Sequence, residues 1–354
     1  MNRRTFLTTL TYAAGTLALA ACRSAAPTAI LVPATSTIAA PASTAPTSNA
    51  VVPVAPAPIP TSATPARTAM PSATQPATPV SLPPTMTTAP QTPGAPATRT
   101  LPLFDTHVHY SADAWGPIPI PQALALLDLA GTQIAMVSST PDEGTLRLYR
   151  AGPDRIIPIL RPYRTRDDMG TWHSDPTIVP YLEERLALGV HRGIGEFHLY
   201  GDDARSAVIG RVLQLASQRR LLLHAHADTR AIEHLFDREP TSRILWAHAG
   251  YADPTTLQRL VARYPQLWVE TAIRSEIGPG GQLAPAWREL FLAYPDRFMI
   301  GTDSYTVSRW LTMPTILGDV RAWCQTLPAP VGDQLAWRNA ARLLGVSEVP
   351  FKGD

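Results

Sequence analysis

Leu103-Phe104-Asp105-Thr106-His107-Val108-His109 is the stretch on which the reading of the fold turns. It opens on two large apolar residues and closes on two histidines two positions apart. Side chains alternate along a strand, so Asp105, His107 and His109 share one face. A short apolar run that ends in polar groups is the pattern of a strand buried in a parallel sheet. Downstream the pattern recurs, giving eight expected strands at 103–110, 133–139, 156–162, 192–199, 221–227, 243–249, 267–273 and 298–304.

The intervening segments carry helical spacing. Expected helices are 121–130, ending before Gly131, and 180–188, ending before Gly189. Others run over 204–219, 231–236, 255–264, 285–294 and 314–327, and a last one over 332–344 closes the domain. Eight strand-then-helix units in the 254 residues from 101 to 354 point to an α/β fold, a (β/α)8 TIM barrel with an extra C-terminal helix. An open doubly wound sheet is the alternative. No glycine-rich loop follows the first strand, which disfavours a nucleotide-binding sheet.

Upstream the text is different. Residues 1–100 contain no Asp, Glu or Lys and are dominated by Ala, Pro, Thr and Ser. Residues 1–21 read as an export signal. Arg3-Arg4-Thr5-Phe6-Leu7 is similar to a twin-arginine signal, and Leu19-Ala20-Ala21-Cys22 resembles a lipobox whose Cys22 becomes lipidated. Residues 22–100 lack the apolar side chains needed to offset ordering entropy and are expected to form a disordered tether. The expected product is an exported cell-envelope lipoprotein, anchored to membrane through Cys22, with residues 101–354 outside the cytoplasm.

Composition removes several chemistries. Five of the 30 basic residues lie in the first hundred, which leaves 25 against 28 acidic residues from Leu101 onward. That balance offers no footprint for nucleic acid. Lys352 is the only lysine, so neither a Schiff-base lysine nor a carboxylated metal-bridging lysine is available. Of the two cysteines, Cys324 reads as a buried helix residue.

Chemistry-bearing residues gather at the C-terminal ends of the expected strands, the face where barrel active sites are built. His107 and His109 end the first strand. Glu196 ends the fourth, where a buried carboxylate needs a partner, either a cation or an arginine. His224 and His226 end the fifth. His224, which directly ends the apolar run, is favoured as the ligand, and His226 then contacts substrate or orients a ligand. His248 ends the sixth strand and Asp303 the eighth. His198, Arg161, Tyr163, Arg274 and Tyr305 flank these ends and are candidates for substrate contact. Trp172 and His173 lie in a loop that could cover the site.

His-x-His on strand one, an acid on strand four, His on strands five and six and Asp on strand eight resemble the amidohydrolase superfamily. Asp105-Thr106-His107-Val108-His109 and Gly301-Thr302-Asp303 are similar to its amidohydrolase-2 branch. So is the closing Arg338-Asn339-Ala340-Ala341-Arg342-Leu343-Leu344, in which the branch's Asn has a structural capping role. The resemblance implies a divalent metal, zinc first, as one ion or as two bridged by Glu196, which stands where many members have a carboxylated lysine. Ligands would come from His107, His109, Glu196, His224, His248 and Asp303. Asp303 would take the proton of the attacking water, and His248 or the second strand-five His would steady the oxyanion. The implied reaction is hydrolysis of a small-molecule amide, ester or lactone. Non-oxidative decarboxylation on the same scaffold, a catalytically silent surface-tethered binding protein and a TatD-like nuclease are the competing readings.

Overall fold

The computed structural model describes residues 101–346. The export signal, Cys22 and the tether lie outside the described residues. The eight strands are β1 (Leu103–Val108), β2 (Thr132–Val137), β3 (Ile156–Leu160), β4 (Gly193–Leu199), β5 (Leu222–Ala227), β6 (Arg243–Trp246), β7 (Leu267–Glu270) and β8 (Phe298–Met299). They pair in chain order, all parallel. A parallel bridge between Val108 and Ser304 joins the first strand to the last. Thr106 N–H donates to the Ile300 carbonyl at 3.1 Å across the same seam. The fold is a TIM barrel, as the alternation predicts.

The helices are α1 (Ile120–Leu129), α2 (Glu143–Ala151), α3 (Ile178–Leu186), α4 (Ala207–Arg219), α5 (Thr229–Arg238), α6 (Pro254–Arg263), α7 (Pro285–Ala293) and α8 (Val307–Gln325). Their starts are chemically marked. The Ser206 hydroxyl accepts from Ile209 N–H, and the Asp228 carboxylate accepts from Ala231 N–H at 2.7 Å. Asp253 accepts from Thr255 and Thr256 N–H, with Pro254 at the first helical position. Such caps satisfy amide donors that a helix leaves open at its first turn. Asp228 also accepts from Gly201 N–H at 3.0 Å, which ties the loop after β4 to the loop after β5 at the barrel mouth.

Four expectations change. No helix was expected between β2 and β3, yet α2 forms there. Its only large buried apolar residues are Leu146 and Leu148, too few to announce a stripe. Helix α8 begins at Val307 rather than at Pro314, because the Thr306 side chain caps it about two turns earlier and Pro314 is accommodated inside. The closing helix is broken into α9 (Ala329–Asp333), a π-turn (Gln334–Arg338) and α10 (Asn339–Leu344). Finally, β6, β7 and β8 stop short of the expected ends, and the backbone then turns through positive φ at His248 (56°), Ile273 (56°) and Asp303 (51°).

Asn339 is buried, and its amide donates to the carbonyls of Pro295 and Phe298, both at 2.8 Å. It thus fastens α10 to the start of β8, a structural role of the kind the resemblance implied. Asn339→Ala leaves both carbonyls unpaired and is expected to cost about 1–3 kcal/mol. The shift of the urea midpoint measures it; an unchanged midpoint would deny Asn339 this role.

Candidate metal centre at the barrel mouth

The imidazoles of His107 and His109 are both buried, and each is held from behind. His107 Nδ1 lies 2.9 Å from Glu270 Oε1, and His109 Nδ1 lies 2.5 Å from the Ser138 carbonyl oxygen. A carbonyl and a carboxylate only accept, so both Nδ1 atoms carry the proton and both Nε2 atoms present lone pairs. Those two lone pairs meet at 3.0 Å. His248 repeats the device: Nδ1–H donates to the Ala272 carbonyl at 3.1 Å, which aims Nε2 at the site. Fixing the tautomer through the far nitrogen is how proteins present imidazole to a metal.

Carboxylates complete the ring. Glu196 Oε2 is 3.4 Å from His107 Nε2 and 3.2 Å from His109 Nε2. Its Oε1 faces the other way, 3.0 Å from His226 Nδ1 and 3.3 Å from His248 Nε2. Asp303 Oδ1 is 3.4 Å from His107 Nε2 and 3.2 Å from His109 Nε2. Buried lone pairs and negative oxygens that converge in this way repel one another unless a cation lies among them. The donor set of imidazole nitrogens and carboxylate oxygens fits a divalent ion, and ligand atoms of His107, His109 and Glu196 lie within 4.8 Å of one another.

In the protein without metal, protons take that place. Burial pushes His107 toward the neutral form, but the surrounding charges of Asp303, Glu196 and Glu270 prevail and raise it well above the usual imidazole value. Burial likewise opposes ionisation of Asp303, yet the His107 cation and the hydrogen bond from His109 hold its carboxyl at about 2. Glu196 and Glu270 stay well below the usual range against their own burial, chiefly through the charge on His107.

Two glutamates play parts that the sequence did not separate. Glu270 lies wholly buried at the end of β7. Besides His107, its carboxylate accepts from His248 N–H at 2.7 Å and Ala272 N–H at 2.6 Å. It was overlooked, although Leu267-Trp268-Val269-Glu270 carries the same acid-after-apolar signal that singled out Glu196. Glu196 itself has an arginine as well as the histidines: Arg161 Nε donates to its carbonyl at 3.0 Å and Nη2 to its Oε2 at 3.2 Å. Glu270→Gln should weaken divalent-ion affinity about 10–100-fold, since an orienting carboxylate also makes the imidazole more basic. Titration of the metal-free protein with Zn²⁺ checks this, and an unchanged affinity would make Glu270 purely structural.

The two histidines of strand five take different neighbours in the structure. His224 and His226 both face the barrel interior, two residues and therefore one layer apart. His226 is the one beside Glu196. His224 lies a layer deeper, edge-on to the His107 ring, with Nε2 3.9 Å from Glu270 Oε1 and no hydrogen-bond partner on either nitrogen among the described residues. His107, His224 and Glu270 form a separate cluster of potential ligands.

The site opens into a cavity of about 350 Å³ whose walls include Arg161, His198, Tyr251 and Tyr305. His198 stacks on His226, with ring centroids 4.3 Å apart. Tyr163 is fully buried behind it rather than in the wall: its hydroxyl accepts from His198 N–H at 2.7 Å and lies 3.1 Å from His198 Nδ1. Trp172 covers nothing; it is buried, with its indole N–H donating to the His198 carbonyl. Arg274 is a loop brace. Its guanidinium donates to the carbonyls of His248, Ala249 and Ala252 and pairs with Glu276 at 2.5 Å, and it is not among the residues lining the cavity. His191 is buried and pairs with Asp142 at 3.0 Å. Cys324 is buried in α8 as expected, and burial pushes its thiol up.

Residues 172–346 match a family model described as Amidohydrolase. That span holds Glu196, His226, His248, Glu270, Asp303 and Asn339; His107 and His109 precede it. No curated protein matches the chain. A TIM-barrel protein of Bordetella bronchiseptica is similar at 11% identity, covering 70% of this chain and 99% of that one, with a TM-score of 0.50. A putative 2-pyrone-4,6-dicarboxylic acid hydrolase from Pseudomonas putida is 15% identical over 71% of this chain and 100% of its own, at 0.49. An amidohydrolase of Burkholderia multivorans, solved with bound zinc, is 15% identical over 70% and 100%, at 0.47. The Bordetella structure shares the barrel, and residues 172–346 are similar to the amidohydrolase family.

Proposed function

We propose that this domain is a metal-dependent hydrolase of small-molecule amides, esters or lactones. The observation that carries the reading is the convergence of His107 Nε2 and His109 Nε2 at 3.0 Å, each with its Nδ1 proton committed elsewhere, against two ionised carboxylates. His107, His109, Glu196 and Asp303 would hold one ion, and His226 and His248, on the other side of Glu196, would be available to a second. Zinc is the proposed metal. When bound, it supplies Lewis acidity, which makes water a nucleophile at neutral pH.

The chain's own groups do the rest. Asp303, ionised at neutral pH and at the rim of the cluster, accepts a proton from water and returns it to the leaving group. His248 is a poor oxyanion donor in its neutral form, because its one N–H is spent on the Ala272 carbonyl. His198 is better suited. Tyr163 O–H accepts from a backbone N–H and so has its own proton free for His198 Nδ1. That leaves the His198 proton on Nε2, and burial lowers this imidazole to about 4, so it is neutral. Its N–H can then hold a substrate oxygen. Arg161 positions Glu196 and borders the cavity, where it can also meet an anionic substrate group.

We also retain the N-terminal proposal: residues 1–21 export the chain and Cys22 anchors it by lipid outside the cytoplasm. A panel of esters, lactones and amides, run with Zn²⁺ and with chelator, tests the hydrolase reading. Chelator-sensitive incorporation of one oxygen from ¹⁸O-water into product is expected. Release of CO₂ without water incorporation would overturn hydrolysis in favour of decarboxylation.

A further inference from the structure

A second cavity, of about 520 Å³, lies where β4, β5 and β6 begin, at the opposite end of the strands from the metal centre. Five arginines line it: Arg192, Arg219, Arg220, Arg243 and Arg342. No Asp or Glu lines it. The domain as a whole has more acidic than basic residues, so this concentration is local.

The five charges are not neutralised within the described residues. Among the described residues no carboxylate lies within ion-pair distance of any of them, whereas several other surface arginines, such as Arg230 with Asp202 at 2.7 Å, are paired. What bonds they make go to neutral oxygens. Arg243 Nη1 donates to the Arg220 carbonyl at 3.1 Å and its Nη2 to the Leu343 carbonyl. Arg219 Nη1 donates to the Leu186 carbonyl at 3.3 Å, and Arg342 Nη2 to Asn339 Oδ1 at 2.8 Å.

A helix end accounts for some of them. Arg219 and Arg220 close α4 and Arg342 is in the last turn of α10, where a cation offsets the helix dipole. Arg192 and Arg243 come from strand starts, where no helix end calls for a cation. Half-burial without a counter-charge also pulls the Arg243 guanidinium down. Several guanidiniums around one concave space, each a planar fork, match an anion with several oxygens.

We infer that this cavity is a binding site for an anionic phosphate group, either a free oligophosphate or an anionic lipid headgroup. The inference is independent of the metal centre.

The test uses the unlipidated full-length chain without added divalent ions. Tripolyphosphate is titrated calorimetrically, and co-sedimentation is measured with vesicles of phosphatidylcholine with and without phosphatidylglycerol. Arg192→Gln/Arg220→Gln removes two exposed side chains that make no side-chain bond among the described residues, so the fold should survive. Arg243→Gln is a second variant, with its melting temperature as a control. Arg259→Gln, which removes an arginine paired with Glu233 on another face, is the reference.

Tripolyphosphate binding that falls at least about tenfold in the double variant and in Arg243→Gln, but not in Arg259→Gln, supports a free oligophosphate. Binding only to phosphatidylglycerol vesicles, with the same arginine dependence, assigns the site to a headgroup. Binding to neither probe overturns the inference, as does binding that the double variant leaves unchanged.

Discussion

Asp303→Asn is expected to lower turnover of the substrate found in the ester, lactone and amide panel by about 10²–10⁴-fold, the usual contribution of a positioned general base. The variant should nonetheless fold. Asp303 sits at φ 51°, a left-handed conformation that Asn adopts almost as readily as any residue other than Gly. Its backbone N–H donates to the His107 carbonyl at 2.7 Å, a bond the substitution does not touch. An amide oxygen can still face His107 and His109, so most bound zinc should remain. An amide cannot take up a proton from water, and that is the step that fails. Turnover and elemental zinc content measured on the same preparation separate the two roles. Turnover near that of the parent, at equal zinc content, would remove Asp303 from proton transfer.

Gly195→Ala is expected to be among the most destabilising single substitutions in the barrel, at about 2–6 kcal/mol. Gly195 has φ +140°, where a side chain is strained by about 1–3 kcal/mol. A Cβ placed there would lie 2.2 Å from the His224 carbonyl oxygen and 2.8 Å from the His224 Cβ. Both belong to the adjacent strand β5, so relief requires β4 and β5 to separate, an overpacking cost of a further 1–3 kcal/mol or so. Set against the 5–15 kcal/mol or so that holds a typical domain together, this is a large fraction. The same separation would displace Glu196, the next residue, from His226. Denaturant midpoint and zinc affinity should therefore fall together. A stable variant with full zinc affinity would show that the close approach of the two strands is not what positions Glu196.

The barrel was legible because eight short apolar runs alternate with amphipathic segments over the right length. The level of the cluster was legible too, since His107, His109, Glu196, His224 with His226, His248 and Asp303 each follow such a run. What the pattern could not supply is depth. His224 and His226 obey the same period of two, and only the register against β4 shows that His226 meets Glu196 while His224 lies deeper, toward Glu270. Nor could it show where a strand gives way to a left-handed turn. His248 and Asp303 have positive φ without being glycine, and their neighbours carry no signal of it. Arg274 misled because a charged residue after a strand looks the same whether it faces a substrate or three carbonyl oxygens. Glu270 fell on a strand whose end held no histidine to draw notice.

The central claim is that the converging imidazoles and carboxylates hold a divalent ion. Equilibrating the purified full-length chain with Zn²⁺, dialysing it and counting zinc per chain by elemental analysis tests this most directly, with a His107→Ala/His109→Ala variant alongside. The account predicts about one or two tightly held zinc ions per chain and a loss of at least one of them in the variant. A folded parent chain that retains no stoichiometric zinc, and none of manganese or iron offered in its place, would contradict it.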